Sequence, residues 1–546
     1  MRRIDLTSAG FLLAEKRETP MHVGGINLFT LPEGADEHRF LSGLADVLRN
    51  ADTFRQPFGE FVKVSPLGFF WEKDEHIDLD YHVRHSALPK PGRYRELFAL
   101  ASRLHSVLLD RNRPLWETHL IEGLQNRQFA LYQKVHHSAI DGVGAMQLTR
   151  SAYSTRKSER LHYSPFSIEA YERLKTLKYG SATRPVSRPT RGELRNVIDV
   201  LKQTYDSGVH LSTAMGRFSS AFFGRAGNLA VPWHNVPRTS INTRVTGARR
   251  FVAQSWDFDR IKAVCRAVDG TLNDIILAMC SGALRRYLAS RNELPPHSLK
   301  AMAPISLREA NDVDSANAVG FITADLATNT RNPERRLRQI QDSMRAGKAL
   351  LADMSARETA IFMQLTQLPA IVSSVLGLAA RYPAYSTVIS NVPGPRERLY
   401  WNGARLDGIY PASIVFDGFA MNITLVSYYD SLDFGIVACR RSLPQIQRII
   451  DHLEESLQEL EELAGLPVGG ASRKTASRRN SAAGNRSRKP TKARPKTRPK
   501  SAPKKKAGDK PAASAKKAGS KKTPARRAAA KKSARPKTPA TKAKSK

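Results

Sequence analysis

The segment Val135-His136-His137-Ser138-Ala139-Ile140-Asp141-Gly142 decides how this chain is interpreted. It follows residues 129–135, in which apolar side chains alternate as in a half-buried strand, and it precedes a helical run over 143–151. The two histidines are therefore expected in a loop at the end of a strand. From such a loop one imidazole can reach a substrate while its neighbours hold it in place.

The residue types in this loop suit general base catalysis. A histidine has an ordinary pKa of about 6.5, so it can accept a proton near pH 7. Asp141 could fix the loop or the ring, and Gly142 would permit a backbone conformation closed to other residues. The residues alone do not rank the histidines, and either could be packed against the sheet. Because adjacent side chains at a strand end point to opposite faces, we expect no metal site here.

The chain around this loop is expected to form two α/β lobes. Residues 1–155 alternate strand-like runs (24–31, 116–122 and 129–135) with a helix at 97–109, and the polar residues 125–127 predict a hairpin turn. Residues 156–247 are expected to connect the lobes through a helical stretch at 194–223. A second lobe over 248–468 opens with a helix at 272–288, capped by Thr271 with Asp274.

Later segments of the second lobe are predicted as strands at 387–392, 412–416, 421–428 and 432–437, followed by a helix at 443–463. Two lobes joined by a connector predict an active site at their interface.

Two apolar regions have alternative interpretations. Residues 359–380 lack charge for nearly the length of a membrane span, but Pro369 favours two short helices that meet at the proline. In the connector, Met215, Phe218, Phe222 and Phe223 lie near Arg217 and Arg225. These residues suit a helix on a membrane surface or, as base rates favour, one packed across the lobes.

The C-terminal region has a different composition. Residues 471–546 hold 29 Lys and Arg and one acid, Asp509, so this tail carries +28 of the formal charge of +37. The tail, taken as 469–546, is expected to be disordered and to bind polyanions such as nucleic acid or anionic lipid surfaces. Cys265, Cys280 and Cys439 are scattered, and no export signal is evident, which together predict a cytoplasmic protein.

Ordered motifs carry a resemblance to a known family. His-His, three residues, then Asp-Gly is similar to the signature of the coenzyme A-dependent acyltransferase superfamily. Over most of residues 1–465 the chain resembles the bacterial wax ester synthase/diacylglycerol acyltransferase family. The motifs that carry this resemblance lie at 18–25, 113–117, 237–242, 249–250, 273–278, 304–308 and 390–395.

The resemblance implies the two-lobe chloramphenicol acetyltransferase-like fold, with His137 as the base and His136 and Asp141 in support. It implies that Gly142, Asn273 and Asp274 contact substrate, although the last two could serve only as helix caps. It also implies transfer of a long acyl chain from acyl-coenzyme A to diacylglycerol or a fatty alcohol, without a cofactor. We expect this reaction in the cytoplasm or at the surface of the inner membrane or lipid inclusions. One departure, Cys439-Arg440-Arg441 where an acid is expected, bears on substrate preference.

A competing hypothesis assigns the function to the tail. In that case the protein binds nucleic acid or another polyanion, and its acyltransferase-like body is inactive or secondary. The intact loop from His136 to Gly142 argues against this alternative.

Overall fold

The computed structural model describes residues 1–179, 209–225, 227–306, 319–352, 354 and 356–469. The chain divides into two units, residues 1–481 and 482–546, and every described residue belongs to the first. The predicted basic tail beyond residue 469 and the first part of the connector helix, 194–208, therefore lie outside the described residues.

The described residues contain twelve α-helices and fifteen strands. The helices are α1 Leu6–Ala14, α2 Glu37–Arg49, α3 Leu79–His82, α4 Tyr94–Leu104, α5 Gly142–Ala152, α6 Ile168–Tyr179, α7 Val209–Phe222, α8 Phe258–Ala267, α9 Leu272–Ala289, α10 Pro333–Leu351, α11 Ala356–Val375 and α12 Arg448–Leu463. The strands are β1 Arg2–Arg3, β2 His22–Thr30, β3 Glu60–Ser65, β4 Gly68–Lys73, β5 Val83–Ala87, β6 Trp116–Glu122, β7 Gln128–His136, β8 Arg249–Asp257, β9 Lys300–Ser306, β10 Val319–Asp325, β11 Thr387–Pro393, β12 Tyr400–Trp401, β13 Ala404–Ala412, β14 Met421–Tyr428 and β15 Ser431–Cys439.

Most of the described strands belong to two six-stranded sheets. The first has the order β12-β13-β2-β7-β6-β5, and the second has the order β10-β9-β11-β14-β15-β8. A smaller sheet, β1-β4-β3, accompanies the first. The predicted hairpin between β6 and β7 is confirmed, because Asn126 and Arg127 take the positive φ angles of a tight turn.

The two faces of the first sheet serve different cores. Phe129, Leu131 and Val135 of β7 pack in a cluster with α2 and α5. Ala130 and Tyr132 face the other way, into a core shared with α9 and the second sheet. The alternation predicted for this strand is thus correct, and the hydrophobic interior is continuous between the lobes.

Strand β13 links the sheets, although it comes late in the chain. It pairs with β2, and the backbone N–H of Ile409 donates to the buried Asp433 of β15 at 2.8 Å. Burial raises the pKa of Asp433 to about 6. Gly435 lets the strands approach, since a Cβ there would meet the Pro411 carbonyl oxygen at 1.7 Å. The strand predicted at 412–416 is wrong, because β13 ends at Ala412.

The charge-free stretch is one helix rather than two. Helix α11 continues through Pro369, so the predicted break is wrong. Ile361 and Phe362 are buried before the proline and Ala370 packs after it, and this packing offsets the missing hydrogen bond. No single described helix is long and apolar enough to cross a membrane. One bent pair, α8 with α9, passes by length and composition, but α9 is largely core.

Candidate active site

The histidine loop joins β7 to α5. His136 is the last residue of β7, and Asp141 is the N-cap of α5, where its Oδ1 accepts the backbone N–H of Gly144 at 2.6 Å. An aspartate at this position satisfies an amide that the first turn would leave unpaired. Both ends of the loop are therefore fixed by regular structure.

His136 is fully buried. Its Nδ1 accepts the backbone N–H of Ser138 at 3.1 Å and lies 2.7 Å from the Ser138 hydroxyl. Because Nδ1 accepts, the proton of this tautomer belongs on Nε2, which lies 3.5 Å from Oε1 of Glu15. The ring of His136 is thus held inside the protein.

Glu15 connects helix α1 to the histidine loop. Its Oε1 accepts the backbone N–H of Met21 at 3.1 Å, and its Oε2 accepts two hydrogen bonds from Arg111 at 3.0 and 3.1 Å. Burial acts to raise the pKa of Glu15, but interactions with His136, Met21 and Arg111 outweigh it and hold that pKa below its usual value. Glu15 is therefore a buried carboxylate with partners on three sides.

His137 is held differently. Its backbone N–H donates to the Met21 carbonyl at 2.9 Å, and its ring stacks on Phe11 of α1 with a centroid distance of 4.3 Å. The residue is partly exposed, and its Nδ1 is enclosed without a hydrogen-bond partner among the described contacts. Burial lowers the pKa of His137 to about 4, against smaller opposing effects of its own carbonyl and of Asp141. The ring is consequently neutral at pH 7.

The backbone conformation predicted for Gly142 is not found. Its φ is not positive, so no special backbone conformation explains the glycine. Gly142 is exposed at the start of α5, and a Cβ there would lie 3.4 Å from Val392 of β11. Its place beside a strand of the other sheet puts this end of the loop at the lobe interface.

Asn273 and Asp274 lie in the first turn of α9. Asp274 completes the predicted capping box, since its Oδ2 accepts from the Thr271 amide and hydroxyl at 2.9 and 2.7 Å. Asn273 accepts a 2.9 Å hydrogen bond from the Asn391 side chain of β11. Oδ1 of Asp274 and Oδ1 of Asn391 are enclosed without a hydrogen-bond partner among the described contacts. Two acceptors therefore remain available at the N-terminus of α9.

The predicted site residues thus form two groups. His136, His137, Asp141 and Gly142 share one loop, whereas Asn273 and Asp274 lie on the other lobe and meet β11 through Asn391, next to the Val392 that Gly142 faces.

Sequence reasoning missed three residues that hold the loop. Phe11 and Glu15 contact it from far along the chain, and Arg111 holds Glu15. No spacing pattern in the sequence indicated these three residues. Glu15 precedes the motif at 18–25 by only three residues, which is the nearest available signal.

Within the described part of the chain, no group of three or more His, Cys, Asp or Glu side chains could hold a metal ion. Cys265, Cys280 and Cys439 are all free thiols.

Comparisons with known proteins agree with this geometry. Residues 5–276 match the wax ester synthase/diacylglycerol acyltransferase catalytic domain, and residues 315–461 match the WS/DGAT C-terminal domain. An O-acyltransferase WSD of Acinetobacter baylyi is 39% identical over 83% of this chain and 95% of its own length. A probable diacylglycerol O-acyltransferase of Mycobacterium tuberculosis is 42% identical over 84% of this chain and 98% of its own.

Solved structures give the same result. A wax ester synthase/diacylglycerol acyltransferase from Marinobacter aquaeolei matches with a TM-score of 0.67 and 40% identity, over 85% of this chain and 100% of that one. The first condensation domain of the CDA synthetase shares the fold, with a TM-score of 0.52 and 15% identity.

Two α/β lobes with a histidine loop at their interface define an acyltransferase of the two-lobe class. The chain belongs to the wax ester synthase/diacylglycerol acyltransferase family, and the acyltransferase expected from its motifs is confirmed. The segment beyond residue 461 lies outside both family domains.

Proposed function

We propose that this protein transfers a long acyl chain from acyl-coenzyme A to a lipid hydroxyl, that of diacylglycerol or of a fatty alcohol, with His137 as general base. The observation that carries the proposal is the neutral, partly exposed ring of His137 on a loop fixed at both ends. A neutral imidazole can accept a proton, whereas the buried ring of His136 faces Glu15.

The reaction needs no covalent enzyme intermediate. His137 takes the hydroxyl proton as the oxygen attacks the thioester carbonyl, and the carbon–sulfur bond then breaks. Coenzyme A leaves as a thiolate, which the imidazolium of His137 can protonate, so the ring returns to its neutral form. Acyl-coenzyme A is a substrate in this scheme, and no cofactor takes part.

The other predicted site residues have supporting roles in this proposal. His136 and Asp141 position the loop, the first through Ser138 and Glu15 and the second by capping α5. Gly142 leaves room for substrate beside Val392. Asn273 and Asp274 contact substrate from the other lobe, and the enclosed Oδ1 of Asp274, which lacks a hydrogen-bond partner, supports a polar contact there. We place this activity in the cytoplasm, at the surface of the inner membrane or of lipid inclusions.

The test is an acceptor screen. Release of free thiol from palmitoyl-coenzyme A is measured with hexadecanol and with diacylglycerol, using the full chain. We expect His137→Ala to lower kcat by about 10²–10⁴, the usual contribution of a general base. His76→Ala, which removes an exposed histidine, should leave kcat unchanged. Full activity in His137→Ala, or a stable acyl-enzyme trapped by acid quenching, would contradict the mechanism.

A second candidate function belongs to the tail. Its 29 basic residues and single acid favour binding to polyanions such as nucleic acid. Measuring both turnover and DNA binding on one preparation of the full chain distinguishes the two functions. Absence of turnover with every acceptor, together with tight, salt-dependent DNA binding, would support the tail as the functional part.

A further inference from the structure

An exposed apolar stripe runs along the second half of helix α11 and ends at Leu376, the residue after it. Leu365, Val372 and Leu376 are 43%, 45% and 65% exposed, and Pro369 is also exposed. At 100° per residue these four positions fall within an arc of roughly 60°. They form one continuous line over three turns, which we call the α11 stripe.

Charged residues normally occupy this position on a surface helix. Helix α10, directly before it in the chain, exposes Glu334, Arg335 and Arg338. By contrast, residues 359–380 contain no Asp, Glu, Lys or Arg. An apolar outer face on a helix whose inner face is also apolar marks an interaction surface rather than ordinary solvent exposure.

Exposed aromatic and basic side chains lie on the helix packed against α11 and on the segment that follows α11. Helix α7 packs on α11 through Phe218 and Phe362, and it ends in Phe222 and Phe223, which are 41% and 71% exposed. Tyr382, 56% exposed, follows α11. The nearby cations Arg217, Arg225 and Arg381 are exposed as well. Apolar side chains bordered by aromatic rings and arginines complement a membrane surface, where the rings lie at headgroup level and the cations meet phosphates.

The inner side of α11 faces a small cavity. Phe362, Met363 and Thr366 line a small, mostly apolar cavity with Phe218 of α7. Helix α11 also contacts α1, and α1 carries the Phe11 ring that stacks on His137. Helix α11 thus carries the exposed stripe and also contacts the helix that supports His137.

We propose that the α11 stripe docks this protein on an anionic phospholipid bilayer, with Leu365, Val372 and Leu376 inserted at the boundary between headgroups and acyl chains. The bordering arginines contact lipid phosphates. The docking itself is independent of the proposed function. Its use for the enzyme, delivery of an oily acceptor to the lobe that holds His137, depends on that function.

Binding to vesicles of phosphatidylcholine and phosphatidylglycerol tests the docking. The full chain is used at about 1 M salt, where a Debye length of about 3 Å suppresses the attraction of the basic tail. We expect the triple variant Leu365→Ser/Val372→Ser/Leu376→Ser to lower the partition coefficient more than about tenfold. The matched control is Val64→Ser/Leu67→Ser on the β3–β4 hairpin, where the side chains are 66% and 77% exposed, and it should change binding less than about twofold.

A second measurement, by fluorescence, leaves most of the apolar side chains of the stripe in place. An environment-sensitive fluorophore is attached at Leu376→Cys and, as control, at Leu67→Cys, with circular dichroism to confirm folding. Vesicles should raise the emission of the first label and leave the second unchanged. Equal responses at both positions, or vesicle binding that survives in the triple variant, would overturn the docking. So would a change from dimer to monomer in that variant with vesicle binding intact, because the stripe would then be a contact between copies.

Turnover of a short-chain acyl-coenzyme A with a water-soluble alcohol separates the two proposals. The triple variant should retain wild-type turnover with these substrates, because the stripe contains no residue of the histidine loop. If the wild type itself is inactive while the vesicle results hold, the proposed function fails and the docking stands.

Discussion

A histidine acts as a base only while its ring is unprotonated. The surroundings of His137 keep its ring unprotonated at mildly acidic pH. Burial lowers the pKa of the ring to about 4, and the opposing effects of its own carbonyl and of Asp141 are smaller. The stacked Phe11 ring excludes water from one face. The cost of this environment is a weaker base, which positioning of the hydroxyl must offset.

The pH dependence of kcat/KM tests this description. In the free enzyme the acid limb should fall with an apparent pKa near 4, so activity should be nearly constant between pH 7 and pH 5.5. The ordinary histidine pKa of about 6.5 would instead halve the rate near pH 6.5. Assays at pH 7 after exposure to each lower pH control for unfolding. A reversible limb near 6.5 would contradict the buried setting of His137.

Among individual residues, the sequence predicted the histidine loop but not the residues that hold it in place. The pattern from His136 to Gly142 placed both histidines at a strand end, and only the family resemblance ranked them. The structure gives a physical distinction, since one ring faces Glu15 and the other is partly exposed. Glu15 and Arg111 could not be predicted, because tertiary packing alone brings Glu15 to the loop and Arg111 to Glu15.

Among the elements, α1 has the most direct influence on the loop. Its stacking residue is Phe11, and Glu15 at its C-cap holds both the Met21 amide and the Arg111 side chain. The Met21 carbonyl in turn accepts the His137 amide. A shift of α1 would therefore move the base without altering any residue in the loop.

Glu15→Gln tests this coupling. The amide keeps the size of the side chain but removes the charge that faces Arg111 and His136. We expect kcat to fall about tenfold while the KM for acyl-coenzyme A changes less than about twofold, because misplacing a base affects the chemical step more than binding. Glu72→Gln, which removes a carboxylate paired with Lys63 on the β3–β4 hairpin, is the matched control. Equal losses in both variants, measured well below their melting temperatures, would argue against a positioning role for Glu15.

Elements with a clear period were predicted to the residue. Strands 116–122 and 421–428 have the predicted bounds, and the cap at Thr271 was recognised from its side-chain types. The errors arose where tertiary packing outweighs local signals. Pro369 does not break α11, and the strand expected at 412–416 is displaced to 404–412, where it pairs with β2.

For the whole molecule, the two predicted lobes are not independent folding units. Residues 400–412 belong to the first sheet, and one hydrophobic core includes side chains from both sheets. A linear reading of the chain cannot reveal such a crossing, because strand patterns indicate faces and not partners. The division into four consecutive segments therefore remains a prediction, while the pairing of β13 with β2 shows why cutting between the lobes would expose a sheet edge.

A buried histidine in this shared core should make the stability of the fold depend on pH. His105 is 3% exposed and joins Tyr132 of β7 to the Ser413 carbonyl just after β13, at 2.9 and 3.2 Å. Burial, with smaller contributions from Arg249 and Lys134, lowers the pKa of His105 to about 3, against the opposing effect of the Ser413 carbonyl. In the unfolded chain the same ring titrates near 6.5. The unfolded state therefore binds a proton that the folded state refuses, and stability must fall as pH drops below 6.5.

Urea unfolding of the full chain between pH 7 and pH 5 should show this loss. His105 alone is expected to lower the free energy of unfolding by about 2 kcal/mol at pH 5, since each pKa unit corresponds to about 1.36 kcal/mol. His105→Gln should reduce the slope of stability against pH by that amount, whatever its effect at pH 7. His38→Gln, which removes an exposed ring, should leave the slope unchanged. An unaltered slope in His105→Gln would mean that the ring between the lobes takes up its proton without unfolding, and that the core there is open to water.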